Sequence, residues 1–184
     1  MANCCYGSQG QARVQQVRIA PAPKLTYKIS ILGDANIGKT SLVHRLVHNC
    51  LLEEVTPTSG VGYSTYDVSC DSRTVPCEIW DTAGQERFGA LVPVYIRGTD
   101  LCLIAVPLTE AYEARLIQAE RWTRILRSVS EEARIVVIGT KADLASSDML
   151  IPDVTVATSS VSGLGVAELR AIITAEISSL ALSR

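Results

Sequence analysis

The hydrophobic pattern of the chain predicts strands and helices that alternate from residue 25 onward. Strand-like segments alternate apolar and polar positions or form short apolar runs, whereas helix-like segments repeat apolar positions with helical spacing. The predicted strands are residues 27–32, 63–68, 75–80, 101–106, 135–139 and 154–158. The predicted helices are residues 41–47, 111–129 and 166–182.

The arrangement of these elements predicts an α/β fold with a central, mostly parallel six-stranded sheet and helices on both faces. The apolar runs 101–106 and 135–138 are typical of strands buried on both faces of a parallel sheet. Segments 63–68 and 75–80 flank the turn Asp71-Ser72-Arg73, which predicts one hairpin. Such sheets are covered by helices and bind ligands at the carboxyl ends of their strands.

The chain of 184 residues predicts one folded domain at residues 25–184, preceded by an extension. Residues 1–24 are rich in Gln, Ala and Pro and lack hydrophobic periodicity, which indicates a flexible segment. The formal net charge of −2 gives no bulk attraction to nucleic acid. The six cysteines form no C-x-x-C pair, which indicates a reduced setting in which the later four mostly pack as small apolar side chains.

Residues 33–40 fit the pattern G-x-x-x-x-G-K-[ST] of a phosphate-binding loop. A strand precedes this loop and a helix follows it, so its backbone N–H groups can wrap a phosphate at the positive end of the helix. Lys39 is predicted to reach the β- and γ-phosphates, and the Thr40 hydroxyl to ligate Mg²⁺. The residues assigned to this part of the site are Gly33, Asp34, Ala35, Asn36, Ile37, Gly38, Lys39, Thr40 and Ser41.

Residues 81–86, with the sequence Asp-Thr-Ala-Gly-Gln-Glu, follow the third predicted strand. The Asp81 carboxylate can hold Mg²⁺ through water, on the side opposite the loop threonine. Gly84 allows a backbone N–H to approach the γ-phosphate, because it has no Cβ. Gln85 can orient the attacking water, so Gln85 and Lys39 are the predicted catalytic residues.

The base is predicted to be guanine because Thr140-Lys141-Ala142-Asp143 follows the fifth strand. Guanine presents two adjacent donors that the Asp143 carboxylate can accept, whereas adenine has no such pair. A site built on these hydrogen bonds rejects an analogue that lacks them by about 10⁴ or more. An ordinary helix cap is the alternative for Asp143 alone. The residues assigned to the base are Thr140, Lys141, Asp143, Ser159, Ser160 and Val161.

These motifs resemble those of Ras-superfamily small GTPases, and most of all those of the Rab branch, over about residues 25–182. GDANIGKTSL resembles the Rab phosphate loop, IWDTAGQERF the Rab second switch, and YIRG the segment that Rab proteins usually carry as YYRG. Trp80 and Trp122 stand where Rab chains commonly have tryptophan. The resemblance implies the small-GTPase fold, GTP and GDP as ligands with Mg²⁺, and a monomer.

The same resemblance implies a switch cycle run by exchange factors and GTPase-activating proteins, with effectors bound through two switch segments in vesicle traffic. Thr58 would be the first-switch threonine that ligates Mg²⁺ only with GTP, so that loss of the γ-phosphate releases Thr58 and Gly84. The Mg²⁺ ligands implied are Thr40, Thr58 and Asp81. The implied location is cytoplasmic, with the cytoplasmic face of an endomembrane as the more specific alternative.

The chain departs from the family pattern at several positions. Leu51 stands where the family usually has an aromatic residue against guanine, which predicts faster nucleotide release, and Val55 replaces a common switch tyrosine. Ala35 can crowd the space that Gln85 or an incoming arginine needs, so slow intrinsic hydrolysis is predicted, with no arginine finger evident in the sequence. About a dozen residues separate Leu144 from Thr158, so the helix that Rab proteins carry there is predicted to be missing or reduced.

Membrane anchoring is predicted to differ from that of Rab relatives. No cysteine follows Cys102, which excludes prenylation of the chain as given. Ala2 stands where N-myristoylation needs glycine. Palmitate on Cys4 and Cys5 is the remaining anchor, with an unmodified tail as the alternative. A transit peptide is a further alternative, because residues 1–33 contain no acid.

Two other functions are compatible with parts of the sequence. The first is an interaction scaffold that binds nucleotide but does not cycle, which Ala35, Leu51 and Val55 favour. The second is an ATP-using kinase of the phosphate-loop class. Asp143 and the segment 81–86 argue against the kinase, and a pure scaffold has no physical need for Gln85. The sequence therefore predicts a GTP/GDP switch that hydrolyses GTP slowly.

Overall fold

The computed structural model describes residues 26–52, 61–70, 73–82, 91–145 and 154–183. Its strands are β1 (Tyr27–Leu32), β2 (Val61–Cys70), β3 (Arg73–Thr82), β4 (Leu101–Pro107), β5 (Arg134–Thr140) and β6 (Val156–Ala157). Its helices are α1 (Lys39–His48), α2 (Val92–Ile96), α3 (Tyr112–Arg127) and α4 (Val166–Leu182), with a 3₁₀ turn at Ala142–Leu144.

Within these residues the strands form one six-stranded sheet in the order β2-β3-β1-β4-β5-β6. β2 pairs with β3 in antiparallel orientation, and the other four pairs are parallel. Ile29 of β1 lies opposite Ile79 of β3 on one side and Leu101 of β4 on the other. The predicted α/β fold with a mostly parallel sheet and one hairpin is confirmed.

Alternate side chains of the central strands enter two hydrophobic layers. On one face, Ile31 and Leu103 belong to the core formed with α1 and α4. On the other face, Leu32 and Ile104 pack with α2 and α3, including the indole of Trp122. Each fully buried side chain of this size contributes roughly 1.5–3 kcal/mol to the free energy of unfolding. Helices therefore cover both faces, as predicted, and β4 is buried along its whole length.

Several element boundaries differ from those predicted. β3 and β5 continue through Thr82 and Thr140, because Val61 pairs with Thr82 and Pro107 pairs with Thr140 in the sheet. Asp81 therefore lies within a strand end and not in a following loop. β6 keeps only two of the five predicted residues, and α3 is shorter at both ends than the predicted helix 111–129.

Helix α2 was missed by the sequence prediction. It has five residues, and Pro93 lies in its first turn, where the missing N–H removes no helical hydrogen bond. Val92 and Ile96 are buried four residues apart. A segment this short has too few positions for its periodicity to separate helix from loop.

Three of the four cysteines among the described residues are buried. Cys70, Cys77 and Cys102 lie in the sheet, whereas Cys50 is exposed after α1. Burial raises the pKa of the Cys77 thiol to about 12 and also raises that of Cys102. These buried thiols act as small apolar side chains.

Other predictions fall outside the described residues. They concern the extension at residues 1–24, the turn positions 71–72, and the chain between residues 146 and 153, where a helix was predicted to be missing or reduced.

Candidate nucleotide-binding site

The predicted site residues that the structure describes lie at the carboxyl ends of the parallel strands. The loop at 33–38 follows β1, Asp81 lies at the end of β3, residues 140–144 end and follow β5, and residues 159–161 follow β6. Ligands of open α/β sheets bind at this edge. Three further predicted site residues, Thr58, Gly84 and Gln85, lie outside the described residues.

The backbone of the phosphate loop requires glycine at two positions. At Gly33, φ is +148°, and a Cβ would lie 2.6 Å from the Ala105 carbonyl oxygen of β4. At Gly38, φ is +94°, and this residue caps the start of α1. Asn36 also adopts a left-handed conformation, which asparagine tolerates better than most residues. The loop therefore turns tightly onto the first turn of α1, where unpaired N–H groups attract anions.

Lys39 is held inside the loop by the loop's own backbone. Its Nζ donates to the carbonyl oxygens of Gly33 at 2.9 Å and Asp34 at 2.6 Å. Burial lowers the pKa of Lys39 to about 8, although the nearby carboxylates of Asp81 and Asp34 act in the opposite direction. The ammonium group is thus fixed in position and stripped of most of its water.

Thr40 and Asp81 form a paired oxygen site beside the lysine. The Thr40 hydroxyl donates to Asp81 Oδ2 at 2.5 Å. Asp81 is buried, and its other oxygen, Oδ1, accepts no hydrogen bond among the described residues. Burial raises the pKa of this carboxyl, while the Thr40 hydrogen bond and Lys39 oppose the increase. A hydroxyl and an unsatisfied carboxylate oxygen are the hard ligands that Mg²⁺ prefers, so these residues fit the predicted metal.

A cavity of about 180 Å³ lies beside the loop, where the base was predicted to bind. Its lining residues are Ile37, Gly38, Ser41, Thr140, Lys141, Asp143, Leu144, Ser160 and Val161. All except Leu144 were assigned to the site from the sequence. Leu144 is an exposed apolar side chain on the 3₁₀ turn, and no sequence motif marks it. The structure thus brings three chain segments, far apart in sequence, around one space.

Hydrogen bonds connect the two loops that border the base cavity. The Thr158 hydroxyl donates to the Gly139 carbonyl at 2.7 Å, and the Ala142 N–H donates to the Thr158 carbonyl at 3.0 Å. The Ser159 N–H donates to the Leu164 carbonyl at 3.0 Å, so it is not free to meet a base. Ser159 is buried and lies behind the cavity lining. Ser160 and Val161 are the members of this predicted group that face the cavity.

Arg45 supports the same loops and was missed by sequence reasoning. Its guanidinium donates to the carbonyl oxygens of Ser160 at 2.8 Å and Val161 at 2.7 Å, and also to that of Asn49. Arg45 is a helical residue of α1 with no motif around it, so its spacing alone suggests only a solvated face. It joins the helix after the phosphate loop to the loop beside the base cavity.

An aromatic surface lies on strands β2 and β3, at the edge of the sheet. The ring of Tyr63 is 56% exposed and packs edge-on against Trp80, with centroids 5.8 Å apart. The ammonium of Lys28 lies 4.2 Å from the Trp80 ring centroid and donates to the carbonyl oxygens of Tyr95 and Arg97. Exposed aromatic side chains of this kind are enriched in protein interfaces.

Comparisons with known proteins agree with this architecture. The family model described as Ras family matches residues 28–180. The chain is 36% identical to the GTP-binding protein YPT53 of Saccharomyces cerevisiae over 130 residues, which are 70% of this chain and 58% of that protein. It is 35% identical to Ras-related protein Rab-7b of Mus musculus, over 67% of this chain and 63% of the relative. It is also 35% identical to Ras-related protein Rab-11C of Dictyostelium discoideum, over 66% of this chain and 54% of that relative.

The chain therefore belongs to the Ras family, and its similarity to Ypt and Rab proteins is the one that the sequence motifs indicated. It spans between 54% and 63% of the length of these three relatives.

Proposed function

We propose that this protein is a guanine-nucleotide switch that binds GTP and GDP with Mg²⁺ and hydrolyses GTP slowly. The observation that carries the proposal is the convergence of three parts at one sheet edge: the buried Lys39, the Thr40–Asp81 pair, and the cavity bordered by Asp143. Membership of the Ras family supports the same function. We further propose that the nucleotide-binding domain is residues 25–184, preceded by an extension at residues 1–24.

Each described residue has a definite task in this proposal. The loop N–H groups and Lys39 bind the β- and γ-phosphates, and Thr40 and Asp81 hold Mg²⁺, directly and through water respectively. When bound, Mg²⁺ would supply positive charge that offsets the negative charge of the phosphates. Gln85 orients the attacking water, while Thr58 and Gly84 respond to the γ-phosphate. The roles of Gln85, Thr58 and Gly84 are inferred from the sequence motifs that contain these residues.

Guanine selectivity rests on the cavity beside the phosphate loop. Asp143 borders this cavity and is exposed to it, so its carboxylate can accept both donors of the guanine edge. The stem of Lys141 lines the same space and can cover the base plane. Ser160 and Val161 also line this cavity.

The partners of the switch are an exchange factor, a GTPase-activating protein and effectors that bind the switch segments. The exposed ring of Tyr63, packed against Trp80, supports this, because β2 follows one of these segments in sequence and β3 precedes the other. We further propose a role in vesicle traffic at the cytoplasmic face of an endomembrane, which the resemblance of the motifs to those of the Rab branch implies and the similarity to Ypt and Rab proteins supports. We further propose that the protein is monomeric, does not bind nucleic acid, and reaches membranes through acylated Cys4 and Cys5.

No helix among the described residues combines the length and hydrophobicity needed to cross a bilayer. The proposed acylation is tested by substitution of the two cysteines. Cell fractionation compares the wild type with the Cys4→Ser/Cys5→Ser variant. We expect a larger share of the variant in the soluble fraction, because it lacks the two acylated side chains. An identical distribution of the two proteins would argue against acylation.

The decisive experiment measures nucleotide affinity and turnover together. Fluorescent GDP, GTP and ATP analogues are titrated into nucleotide-free protein, and single-turnover GTP hydrolysis is followed for wild type and Gln85→Leu. We expect guanine nucleotides to bind at least about 10⁴-fold more tightly than ATP, and Gln85→Leu to bind GTP normally but hydrolyse it more slowly. Equal affinities for GTP and ATP would contradict the proposal.

A nucleotide-bound scaffold that does not cycle remains the second candidate. The specific observation in its favour is Leu51, a 43% exposed leucine where the family usually has an aromatic residue. Tight GTP binding with equal, negligible hydrolysis by wild type and Gln85→Leu, also with activating proteins present, would favour the scaffold over the switch.

A further inference from the structure

The phosphate loop contains an acidic side chain, Asp34, that contacts helix α3. Its Oδ1 accepts a hydrogen bond from Trp122 Nε1 at 2.8 Å and forms an ion pair with the Arg121 guanidinium. The backbone carbonyl of the same residue accepts from Lys39 Nζ at 2.6 Å. Asp34 therefore connects the phosphate-binding lysine on one side to two neighbouring donors of α3 on the other.

A carboxylate at this position is unfavourable for binding a nucleotide. Its negative charge lies in the loop that must cradle phosphates and would repel them, although it favours the charged form of Lys39. The two α3 donors counter this effect, because they neutralise the carboxylate and hold it against the helix. Both donors bind the same oxygen, Oδ1 of Asp34. They are also close to each other, because the Arg121 guanidinium lies 5.3 Å from the Trp122 ring centroid.

We propose that Trp122 and Arg121 are positioning residues for the nucleotide. They hold and neutralise Asp34, keep the phosphate loop in its binding conformation, and thereby slow nucleotide release. The inference rests on the proposed guanine-nucleotide function and deepens it, since α3 then controls the lifetime of the bound state. Neither side chain needs to touch the nucleotide.

The two donors contribute unequally. Trp122 is 6% exposed and packed in the core under α3, and a hydrogen bond to a charged acceptor is stronger than one to a neutral acceptor. The Arg121 side chain is 50% exposed, and ion pairs at that exposure contribute little and are screened by salt. We expect Trp122→Phe to speed nucleotide release about tenfold. Arg121→Gln should speed it less, and only at low ionic strength.

The test is the rate at which mant-GDP leaves the full-length protein when unlabelled GDP is added in excess with Mg²⁺. Each α3 variant is measured in the wild-type, Asp34→Asn and Asp34→Ala backgrounds. In Asp34→Ala no acceptor remains, so neither α3 variant should change the rate. In Asp34→Asn the amide oxygen still accepts the indole N–H, so Trp122→Phe should still speed release. Arg121→Gln should have no effect there, because no charge remains to neutralise.

Arg124→Gln is the matched control, because Arg124 is exposed on the same helix. It should leave the release rate unchanged. A merely structural role for Trp122 would lower the free energy of unfolding and change release equally in all three backgrounds, and that result would overturn the inference. If Trp122→Phe fails to fold, Arg121→Gln across a salt series in the wild-type and Asp34→Asn backgrounds decides the matter.

The two proposals fail differently. Wild-type protein that does not bind mant-GDP would overturn the proposed function. Wild-type protein that binds mant-GDP, with release unchanged by Trp122→Phe and Arg121→Gln, would overturn only the role of α3.

Discussion

Lys39 shows how a single residue changes its chemistry when the loop closes around it. The side chain is 6% exposed, and its ammonium is satisfied by two backbone carbonyl oxygens instead of water. Burial disfavours the charged form, which lowers the pKa of Lys39 to about 8. The phosphates of a nucleotide would favour the charged form again.

The affinity of the nucleotide-free protein for GDP should therefore fall as pH rises above about 8, by up to about tenfold per pH unit. Above this pH, binding requires the protein to take up a proton. Titration of mant-GDP between about pH 7 and about pH 9, without Mg²⁺, measures the effect. The Lys39→Ala variant should bind weakly and show no such trend, so the same slope in both proteins would contradict the assignment.

The lowered pKa of Lys39 affects the free energy of unfolding in the opposite direction from GDP affinity. In the unfolded chain the lysine keeps a pKa near 10.5, so between about pH 8 and that value the unfolded chain binds more protons than the folded one. The contribution of Lys39 to the free energy of unfolding of the nucleotide-free protein therefore rises with pH across this window. As pH rises above about 8, the affinity for GDP should fall, while the contribution of Lys39 to the free energy of unfolding of the nucleotide-free protein should rise.

Asp81 is the second residue whose buried environment leads to a measurable prediction. Asp81→Asn keeps an acceptor for the Thr40 hydroxyl but removes the charge that would act on Mg²⁺ through water. Loss of such a partner lowers metal affinity about 10–100-fold. Mg²⁺ titrations, followed by the slowing of mant-GDP release, should shift by that factor. Asp67→Asn, on the exposed face of β2, should leave the titration unchanged.

At the scale of elements, the long periodic segments were predictable and the short ones were not. The helix predicted at 166–182 is α4, and the strand predicted at 27–32 is β1. The five-residue α2 was missed, and only two residues of the last predicted strand pair in the sheet. Hydrophobic periodicity is a local signal that needs several turns or alternations, whereas the ends of β3 and β5 depend on what the neighbouring strands can pair.

Two glycines with nearly the same φ angle allow the cost of close packing to be separated from that of backbone strain. Gly165 caps the start of α4 with φ +69°, and an added Cβ would collide with the Ala157 carbonyl of β6. Gly98 has φ +70°, with nothing within 4 Å of an added Cβ. Both alanine variants carry the strain of a left-handed residue, about 1–2 kcal/mol.

Gly165→Ala should therefore lower the free energy of unfolding by clearly more than Gly98→Ala, which should cost only the backbone strain of about 1–2 kcal/mol. Urea unfolding of both variants gives the comparison, and the difference between them isolates the contact with β6. Equal losses would mean that α4 can move away from β6 without cost.

At the scale of the whole molecule, the base cavity depends on contacts between segments far apart in sequence. Arg45 lies on α1, yet its guanidinium binds the carbonyl oxygens of Ser160 and Val161, more than 100 residues away. This contact holds the loop after β6 beside the helix that follows the phosphate loop. The side chain thereby couples the phosphate and base portions of the site.

Arg45→Ala should weaken GDP binding about tenfold, because two hydrogen bonds from a charged donor are lost and the wall of the base cavity loosens. Isothermal titration with GDP and with inorganic pyrophosphate separates the two parts of the site. The loss should appear for GDP and be small for pyrophosphate, which does not use the base cavity. Equal losses for both ligands would place the effect of Arg45 in the phosphate loop instead.

The phosphate loop, the order of the strands and of the longer helices α1, α3 and α4, and eight of the nine residues around the base cavity could be predicted from consecutive residues alone. These features are local, because glycine geometry, hydrophobic periodicity and short motifs each depend only on residues that are close in sequence. Three contacts became evident only from the folded chain: Asp34 with Trp122, Arg45 with the loop at 160–161, and Tyr63 with Trp80. The strand order β2-β3-β1-β4-β5-β6 brings these side chains together, because packing joins residues that have no relation in sequence.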